Sequence, residues 1–178
     1  EEQYGLVWHG KRKAKMEALK TSTGTLRPVK DDSVNWDTTR NIMIEGDNLE
    51  VLKLLRSSYA NQVKVIYIDP PYNTGKDFVY PDDYKDNLRN YKERMGTLNR
   101  ESNPEGSGRY HTDWLNMMLP RLTIAKQLLR DDGIIFTSID DKEVSNLRAL
   151  YGDVFGDENH VATLIHQRAK GGGQAKQV

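Results

Sequence analysis

The stretch VKVIYIDPPYNTGK, residues 63–76, begins as a strand and breaks into an acid, two prolines and an aromatic ring. Its first six residues are almost continuously apolar, which predicts a strand of a parallel sheet that is buried on both faces. Prolines end strands readily, so a strand-ending turn with a surface tyrosine is the simplest interpretation of Asp69-Pro70-Pro71-Tyr72. Folding alone explains less well why an acid and a ring stand on either side of the two prolines.

Strands and helices alternate in the rest of the chain. Strands are predicted at residues 41–44, 63–68, 134–139 and 160–168, and helices at 48–59, 112–131 and 141–155. Pro120 is expected to kink or divide the second helix. The alternation predicts an open α/β sheet with flanking helices. Ligands of such sheets lie beyond the carboxyl ends of the strands, which places Asp47 and Asp69 at the functional edge.

Three aspartates are predicted to begin these helices. Asp47 with Glu50 three residues later resembles a capping box. Asp113 is a candidate cap for the long helix, and Asp140 for the third helix, with Glu143 at its N3 position. Asp47 therefore has a structural role that is compatible with any role in binding.

Composition narrows the class of protein. A chain of 178 residues, 37% hydrophobic and 29% charged, fits one soluble domain, and its zero net charge gives no general support for nucleic-acid binding. Cysteine is absent, which excludes disulfides and thiolate metal ligands and suits a reducing cytoplasm. The four histidines lack ligand spacing, so no metal site is expected. No apolar run approaches the roughly 18 residues of a membrane span.

Two polar regions have open interpretations. Residues 1–40 are predicted to be a polar extension, either a surface arm or an arm that faces DNA. Residues 73–108 mix basic residues with tyrosines and lack a core pattern, which fits a solvated loop or a loop that contacts DNA. Near the end of the sequence, Arg168, Lys170 and Lys176 are candidate phosphate contacts.

The residues after the strand suit chemistry on an aromatic amine. The lone pair of such an amine is delocalised into its ring, and two acceptors aimed at its N–H bonds favour the pyramidal form that attacks an electrophile. The carboxylate of Asp69 and the carbonyl of Pro70 are two such acceptors, and the Tyr72 ring is a surface for stacking. Stacking needs the ring, so the Tyr72 hydroxyl is expected to be dispensable.

The chain resembles amino-group methyltransferases that use S-adenosylmethionine. DPPYNTG is similar to the motif of the modification (Mod) subunits of type III restriction–modification systems. Four further stretches agree in order, namely IEGDNLEVLKLL, WLNMMLPRLTIAKQLLRDDGIIFTSIDD, EVSNLRALYGDVFG and QRAKGGG, so that the resemblance covers residues 41–173. It implies a partial Rossmann-like methyltransferase sheet, incomplete in this chain.

The resemblance also implies roles for individual residues. Asp69 and the Pro70 carbonyl would accept hydrogen bonds from the target amine, and Pro71 would shape the turn. Tyr72 would stack on a base flipped out of the duplex. Asp47 would contact the adenine of the cofactor, alongside its role as a helix cap.

One departure from the family pattern bears on completeness. In this group the catalytic motif precedes a target-recognition region and then a glycine-rich cofactor motif after Asp-Pro-Phe. Gly171-Gly172-Gly173 has no such context. We therefore expect residues 41–178 to be the N-terminal portion of a catalytic domain that lacks both later parts, and the chain alone to be inactive.

The function implied is methylation of adenine N6 in double-stranded DNA within a prokaryotic, cytoplasmic restriction–modification system. A homodimer and a restriction (Res) subunit are the implied partners, without a membrane. Methylation of cytosine N4 or of another amine is an alternative, although Asp69 in the first motif position favours adenine. A non-catalytic truncated module is the other alternative.

Overall fold

A computed structural model describes residues 5–74 and 110–166. The elements are α1 (Lys11–Leu19), α2 (Asn48–Tyr59), β1 (Val63–Ile68), α3 (Tyr110–Leu128), β2 (Leu129–Thr137) and α4 (Val144–Phe155), followed by a 3₁₀ turn, Asp157–Asn159. This mixture confirms the predicted α/β class. The predictions for residues 75–108, for the basic residues at 168, 170 and 176 and for the glycines at 171–173 lie outside the described residues.

The two strands form a parallel pair. Ile66 lies opposite Ile135, and Ile68 lies opposite Thr137. The Ser138 amide donates to the Ile68 carbonyl at 3.0 Å, so the carboxyl ends of the strands lie side by side. β2 begins at Leu129, earlier than predicted, because α3 ends at Leu128 rather than at the expected Asp-Gly stop.

Only one face of the sheet is covered by the described helices. Ile68 and Ile135 pack against the core. On the opposite face Val65, Tyr67 and Phe136 are 55%, 65% and 45% exposed. The prediction that the strand is buried on both faces is therefore wrong for the described chain, since the helices that accompany these strands here supply one layer.

Helix α3 is the centre of the core. Its side chains are buried on several sides because α1, α2 and α4 all pack against it. The fully or almost fully buried side chains include Trp114, Leu115, Met117, Met118, Leu119 and Leu122. Pro120 lies inside this single helix, so the expected division does not occur. No helix in the described ranges is both long and apolar enough to cross a membrane.

Part of the predicted N-terminal extension belongs to the core. Ala14, Glu17 and Ala18 of α1 are buried. The Glu17 carboxylate lies 2.6 Å from the ammonium group of Lys53 on α2, and both side chains are almost inaccessible. The prediction of a surface arm is thus wrong for residues 11–19. This polar helix has a buried face because its alanines are small and its buried glutamate pairs with Lys53. Residues 23–40 are exposed and form no helix or strand.

Two predicted strands are not formed in the described chain. Residues 41–44 and 160–166 have no strand structure. Met43 and Ile165 are 95% and 97% exposed. A strand is stabilised by pairing with a neighbour, and the described sheet consists of β1 and β2 alone. A segment rich in apolar and β-branched residues is therefore not sufficient to predict a strand in these two places.

Candidate active site

The Asp69-Pro70-Pro71-Tyr72 segment begins directly after β1, as predicted. The Tyr72 hydroxyl donates a 2.8 Å hydrogen bond to Asp69 Oδ1. Asp69 is exposed and Tyr72 is half-buried. The hydrogen bond from Tyr72 to Asp69 raises the pKa of the phenol, since the neutral hydroxyl is the form that donates to the carboxylate. The carboxylate is thus oriented by its neighbour and still accessible from solvent.

The prolines place the segment against α3. Pro70 is buried. The indole nitrogen of Trp114 donates to the Pro71 carbonyl at 2.7 Å. Trp114 is itself fully buried, so this contact ties the segment to the rigid centre of the core. The acceptor role predicted for the Pro70 carbonyl stays a prediction.

A buried acid receives the residue that follows the motif. Asn73 is buried, and its amide nitrogen donates to Glu143 Oε1 at 2.5 Å. The same oxygen lies 2.5 Å from His111 Nδ1, and Asn146 Nδ2 donates to Oε2 at 2.9 Å. Glu143 is 0% exposed. We refer to Asn73, His111, Glu143 and Asn146 as the Glu143 cluster.

The position of Glu143 differs from the prediction. The Asp140 carbonyl accepts from the Glu143 and Val144 amides, and α4 begins only at Val144. Glu143 is therefore the residue before the helix, and its side chain points into the core instead of serving the first turn. Sequence reasoning missed this role because a glutamate three residues after an aspartate is equally typical of a helix start. The predicted end of α4 before Gly156, which has a φ of 95°, is confirmed.

Two hydroxyl groups extend the polar edge beside Asp69. The Tyr67 hydroxyl and Ser138 Oγ lie 2.5 Å apart at the ends of the two strands. Neither was predicted, although both stand within one residue of a predicted strand end. The pairs Asp69–Tyr72 and Tyr67–Ser138 thus place hydrogen-bonding groups at the carboxyl ends of the two strands, with Asp69 and Tyr67 exposed.

Asp47 begins α2, and its predicted cap is confirmed. Asp47 Oδ1 accepts from the Glu50 amide at 3.1 Å. The next residue, Asn48, accepts a 2.8 Å hydrogen bond from the buried Arg121 of α3. Asp113 lies in the first turn of α3, which begins three residues earlier, at Tyr110. The structure thus joins Asp69 to Tyr72 directly, whereas the binding role of Asp47 stays a prediction.

Metal binding has no support among the described side chains. No group of three or more histidines, aspartates or glutamates there has a geometry that could hold a metal ion. The Nδ1 atom of His111 lies 2.5 Å from the Glu143 carboxylate.

Comparison with known proteins identifies the family. Residues 63–177 match the N6/N4 methyltransferase family, described as DNA methylase. The chain is 41% identical over 177 residues to the Mod subunit of the type III restriction–modification enzyme EcoP15I of Escherichia coli, covering 94% of this chain and 27% of that protein. It is 38% identical over 174 residues to the StyLTI Mod subunit of Salmonella typhimurium, covering 94% and 26%.

A relative of another type also matches. The chain is 34% identical over 140 residues to the type II methyltransferase M.KpnI of Klebsiella pneumoniae, covering 79% of this chain and 30% of that protein. The chain spans about a quarter of the length of the Mod subunits that it matches. The match over most of the chain, with the Asp-Pro-Pro-Tyr segment inside it, shows that the chain belongs to the N6/N4 DNA methylase family.

Proposed function

We propose that the protein containing this chain transfers a methyl group from S-adenosylmethionine to adenine N6 in double-stranded DNA. The observation that carries the proposal is the exposed Asp69 carboxylate at the end of β1, held by the Tyr72 hydroxyl at 2.8 Å. Asp69 lies within the region that matches the DNA methylase family, which supports an amino group as the group that its carboxylate binds. The proposal includes a Rossmann-like sheet, of which β1 and β2 are part.

Asp69 is suited to activate an amine. Its Oδ1 receives the Tyr72 hydroxyl. Oδ2 and the remaining lone pairs are therefore directed by a fixed donor and can accept from an amino N–H. This acceptor favours the pyramidal nitrogen, and the Pro70 carbonyl would accept from the second N–H. Loss of one preorganised group of this kind typically raises a barrier by about 3 kcal/mol.

Tyr72 would also receive the target base. An adenine amine inside a duplex is inaccessible to Asp69, so the base must leave the stack. The half-buried Tyr72 lies three residues after Asp69 in the sequence, and its hydroxyl hydrogen-bonds to the Asp69 carboxylate. In this proposal the ring stacks on the extruded base while the hydroxyl keeps Asp69 oriented.

The cofactor would meet this chain at the start of α2. S-adenosylmethionine, when bound, supplies a methyl group on a positively charged sulfur. The Asp47 carboxylate accepts from the Glu50 amide at the start of α2, and a carboxylate is an acceptor of the kind that suits the amino and hydroxyl donors of an adenosine. This is one fitting contact, so the chain supplies part of the cofactor site in this proposal.

The wider assembly belongs to the same proposal. Relatives named as type III Mod subunits support a role in a restriction–modification system with DNA as substrate. A restriction (Res) subunit and a second copy of the protein are the proposed partners. The match to M.KpnI, which is named as a type II methyltransferase, supports methyl transfer but adds no support for a Res subunit.

The test is methylation by the full-length protein. The protein is incubated with duplex DNA and methyl-labelled S-adenosylmethionine, and the product is digested to nucleosides. Label in N6-methyl-2′-deoxyadenosine supports the proposal, and label in N4-methyl-2′-deoxycytidine assigns the alternative amine. No label in DNA, with the cofactor bound, identifies the non-catalytic alternative.

A further inference from the structure

We infer that Glu143 is a positioning residue that holds the Asp69–Tyr72 segment in its working geometry through Asn73. The inference rests on the proposed methyl transfer. It assigns a role to a buried carboxylate that lies more than 70 residues from the motif in the sequence, and whose contacts lead directly to the residue after Tyr72.

Asn73 connects the Asp69–Tyr72 segment to Glu143. It follows Tyr72 immediately, is 0% exposed and has a φ of 56°, in the left-handed region. Few residues adopt this conformation without cost, and asparagine is one that does. Its amide donates to Glu143 across 2.5 Å. A hydrogen bond to a carboxylate is stronger than one between neutral groups, so it fixes the direction in which the chain leaves Tyr72.

Tyr72 consequently lies between two anchors. On one side the Pro71 carbonyl accepts from Trp114 at 2.7 Å, and on the other side Asn73 donates to Glu143. Both anchoring side chains are 0% exposed. Because the Tyr72 hydroxyl in turn holds Asp69, the position of the carboxylate depends on both anchors.

Glu143 is itself fixed by two other elements. His111 at the start of α3 lies 2.5 Å from Oε1, and Asn146 of α4 donates to Oε2. The carboxylate thus joins the segment after β1 to α3 and to α4. Burying a carboxylate is unfavourable compared with a neutral side chain of the same shape. A charged acceptor at this position is explained by the strength with which it holds the amides of Asn73 and Asn146 in place.

The experiment compares Glu143→Gln with Glu17→Gln in the full-length protein. Both variants replace an almost fully buried glutamate, but Glu17 pairs with Lys53 between α1 and α2. The measurements are the single-turnover methylation rate, the dissociation constants for S-adenosylmethionine and DNA, and the folded fraction by thermal unfolding. Misplacement of a reacting group by about 1 Å lowers rates by up to about 100-fold.

We expect Glu143→Gln to lower the methylation rate at least about tenfold, with both dissociation constants changed less than about threefold. Glu17→Gln should lower stability while keeping the rate per folded molecule. If Glu143→Gln and Glu17→Gln had the same methylation rate per folded molecule, positioning by Glu143 would be refuted. Should Asp69→Ala also leave methylation intact, or the parent protein methylate no DNA, the proposed function itself fails.

A reversed pair separates positioning from folding. In the double variant Asn73→Asp and Glu143→Gln, the glutamine amide can donate to the aspartate, and aspartate tolerates a left-handed φ like asparagine. We expect the double variant to be at least about threefold faster than either single variant, as coupled neighbours are non-additive. A double variant no faster than the slower single variant would show that Glu143 does not act through Asn73.

Discussion

The hydroxyl of Tyr72 donates to Oδ1 of Asp69 across 2.8 Å, so the ring and the carboxylate of the motif are one hydrogen-bonded unit. The sequence suggested separate tasks, with the ring for stacking and the acid for accepting. In the structure the hydroxyl orients the acid, which gives the tyrosine a second task. The expectation that the hydroxyl is dispensable therefore has to be replaced.

Tyr72→Phe should lower the methylation rate several-fold, and Tyr72→Ala should lower it further. Phenylalanine keeps the ring but leaves Asp69 without its 2.8 Å donor. Alanine removes the stacking surface as well, and loss of base stacking corresponds to about 5- to 150-fold. Single-turnover methylation of duplex DNA by the full-length protein measures both. A phenylalanine variant with the parent rate would return the hydroxyl to a passive role.

Asp69→Ala should nearly abolish methyl transfer while the protein remains folded. Asp69 is exposed, so its removal leaves no cavity in the core, and it takes away the proposed acceptor of the amine. A rate above about one tenth of the parent rate corresponds to a loss below roughly 1.4 kcal/mol, too little for this role. Circular dichroism of the variant provides the folding control.

The Tyr72 phenol should titrate above the ordinary tyrosine value of about 10. Its hydrogen bond to Asp69 raises its pKa, so the contact is fully present below pH 10 and is lost as the pH rises through the shifted value. Because the chain has 9 tyrosines, the measurement is carbon NMR of labelled tyrosine, with Tyr72→Phe assigning the resonance. In Asp69→Ala the same resonance should titrate at lower pH. An unchanged midpoint would contradict the hydrogen bond.

Glu17→Gln should lower the free energy of unfolding by about 2–4 kcal/mol at neutral pH, because it leaves Lys53 with less compensation in the core. Burial disfavours ionised Glu17, but hydrogen bonds from Lys20 and Lys53 outweigh burial and lower its pKa. Its contribution is therefore present above about pH 4.3 and lost as the pH falls through the lowered value.

Lys53 gives the alkaline limit of the same contribution. Burial disfavours its charge, yet its hydrogen bonds to Glu17 and Glu50 raise its pKa. The ion pair therefore stabilises the fold below about pH 10.4 and loses its effect as the pH rises through the raised value. Urea unfolding across pH 3–11 should show the parent and Glu17→Gln converging at acid pH. A constant difference would mean that the pair contributes little.

The 178-residue chain alone should bind S-adenosylmethionine weakly, with a dissociation constant above about 10 μM. Asp47 is the one described contact proposed for the cofactor, and a single hydrogen bond contributes about 0.5–1.5 kcal/mol. Micromolar binding requires about 8 kcal/mol. Calorimetry tests this directly, with Asp47→Ala as the control. Tight binding at one cofactor per chain would place the cofactor pocket within this chain.

The sequence correctly predicted features that depend on residues close together in the chain. The strand over residues 63–68, the cap by Asp47 and the position of the motif at a strand end all follow from neighbouring residues. The predicted strands at 41–44 and 160–168 depended on partners elsewhere, and apolar composition says nothing about whether a partner is adjacent. The sequence therefore predicted correctly that the motif follows a strand, and it predicted more strands than the described residues form.

The misses share a cause. Glu17 lies in a polar stretch that was expected to be an extension, and Glu143 was assigned to a helix start because it follows Asp140 by three residues. Each has a partner that is distant in sequence: Lys53 pairs with Glu17 as an ion, and the Asn73 amide donates a hydrogen bond to Glu143. A single sequence does not show such pairs. The support of the candidate site is consequently harder to predict than its motif.

The parallel pairing of β1 with β2 has a consequence for biosynthesis. Val63 pairs with Leu129, 66 residues later, so the first strand leaves the ribosome well before its partner. At about 5–20 residues per second the interval is roughly 3–13 s. During that time the edge of an apolar strand is unpaired, and a nascent chain in this state is a substrate for chaperones or for neighbouring chains on the same messenger RNA. The Asp69–Tyr72 segment, which follows this strand, therefore acquires its geometry only after α3 and β2 have been synthesised.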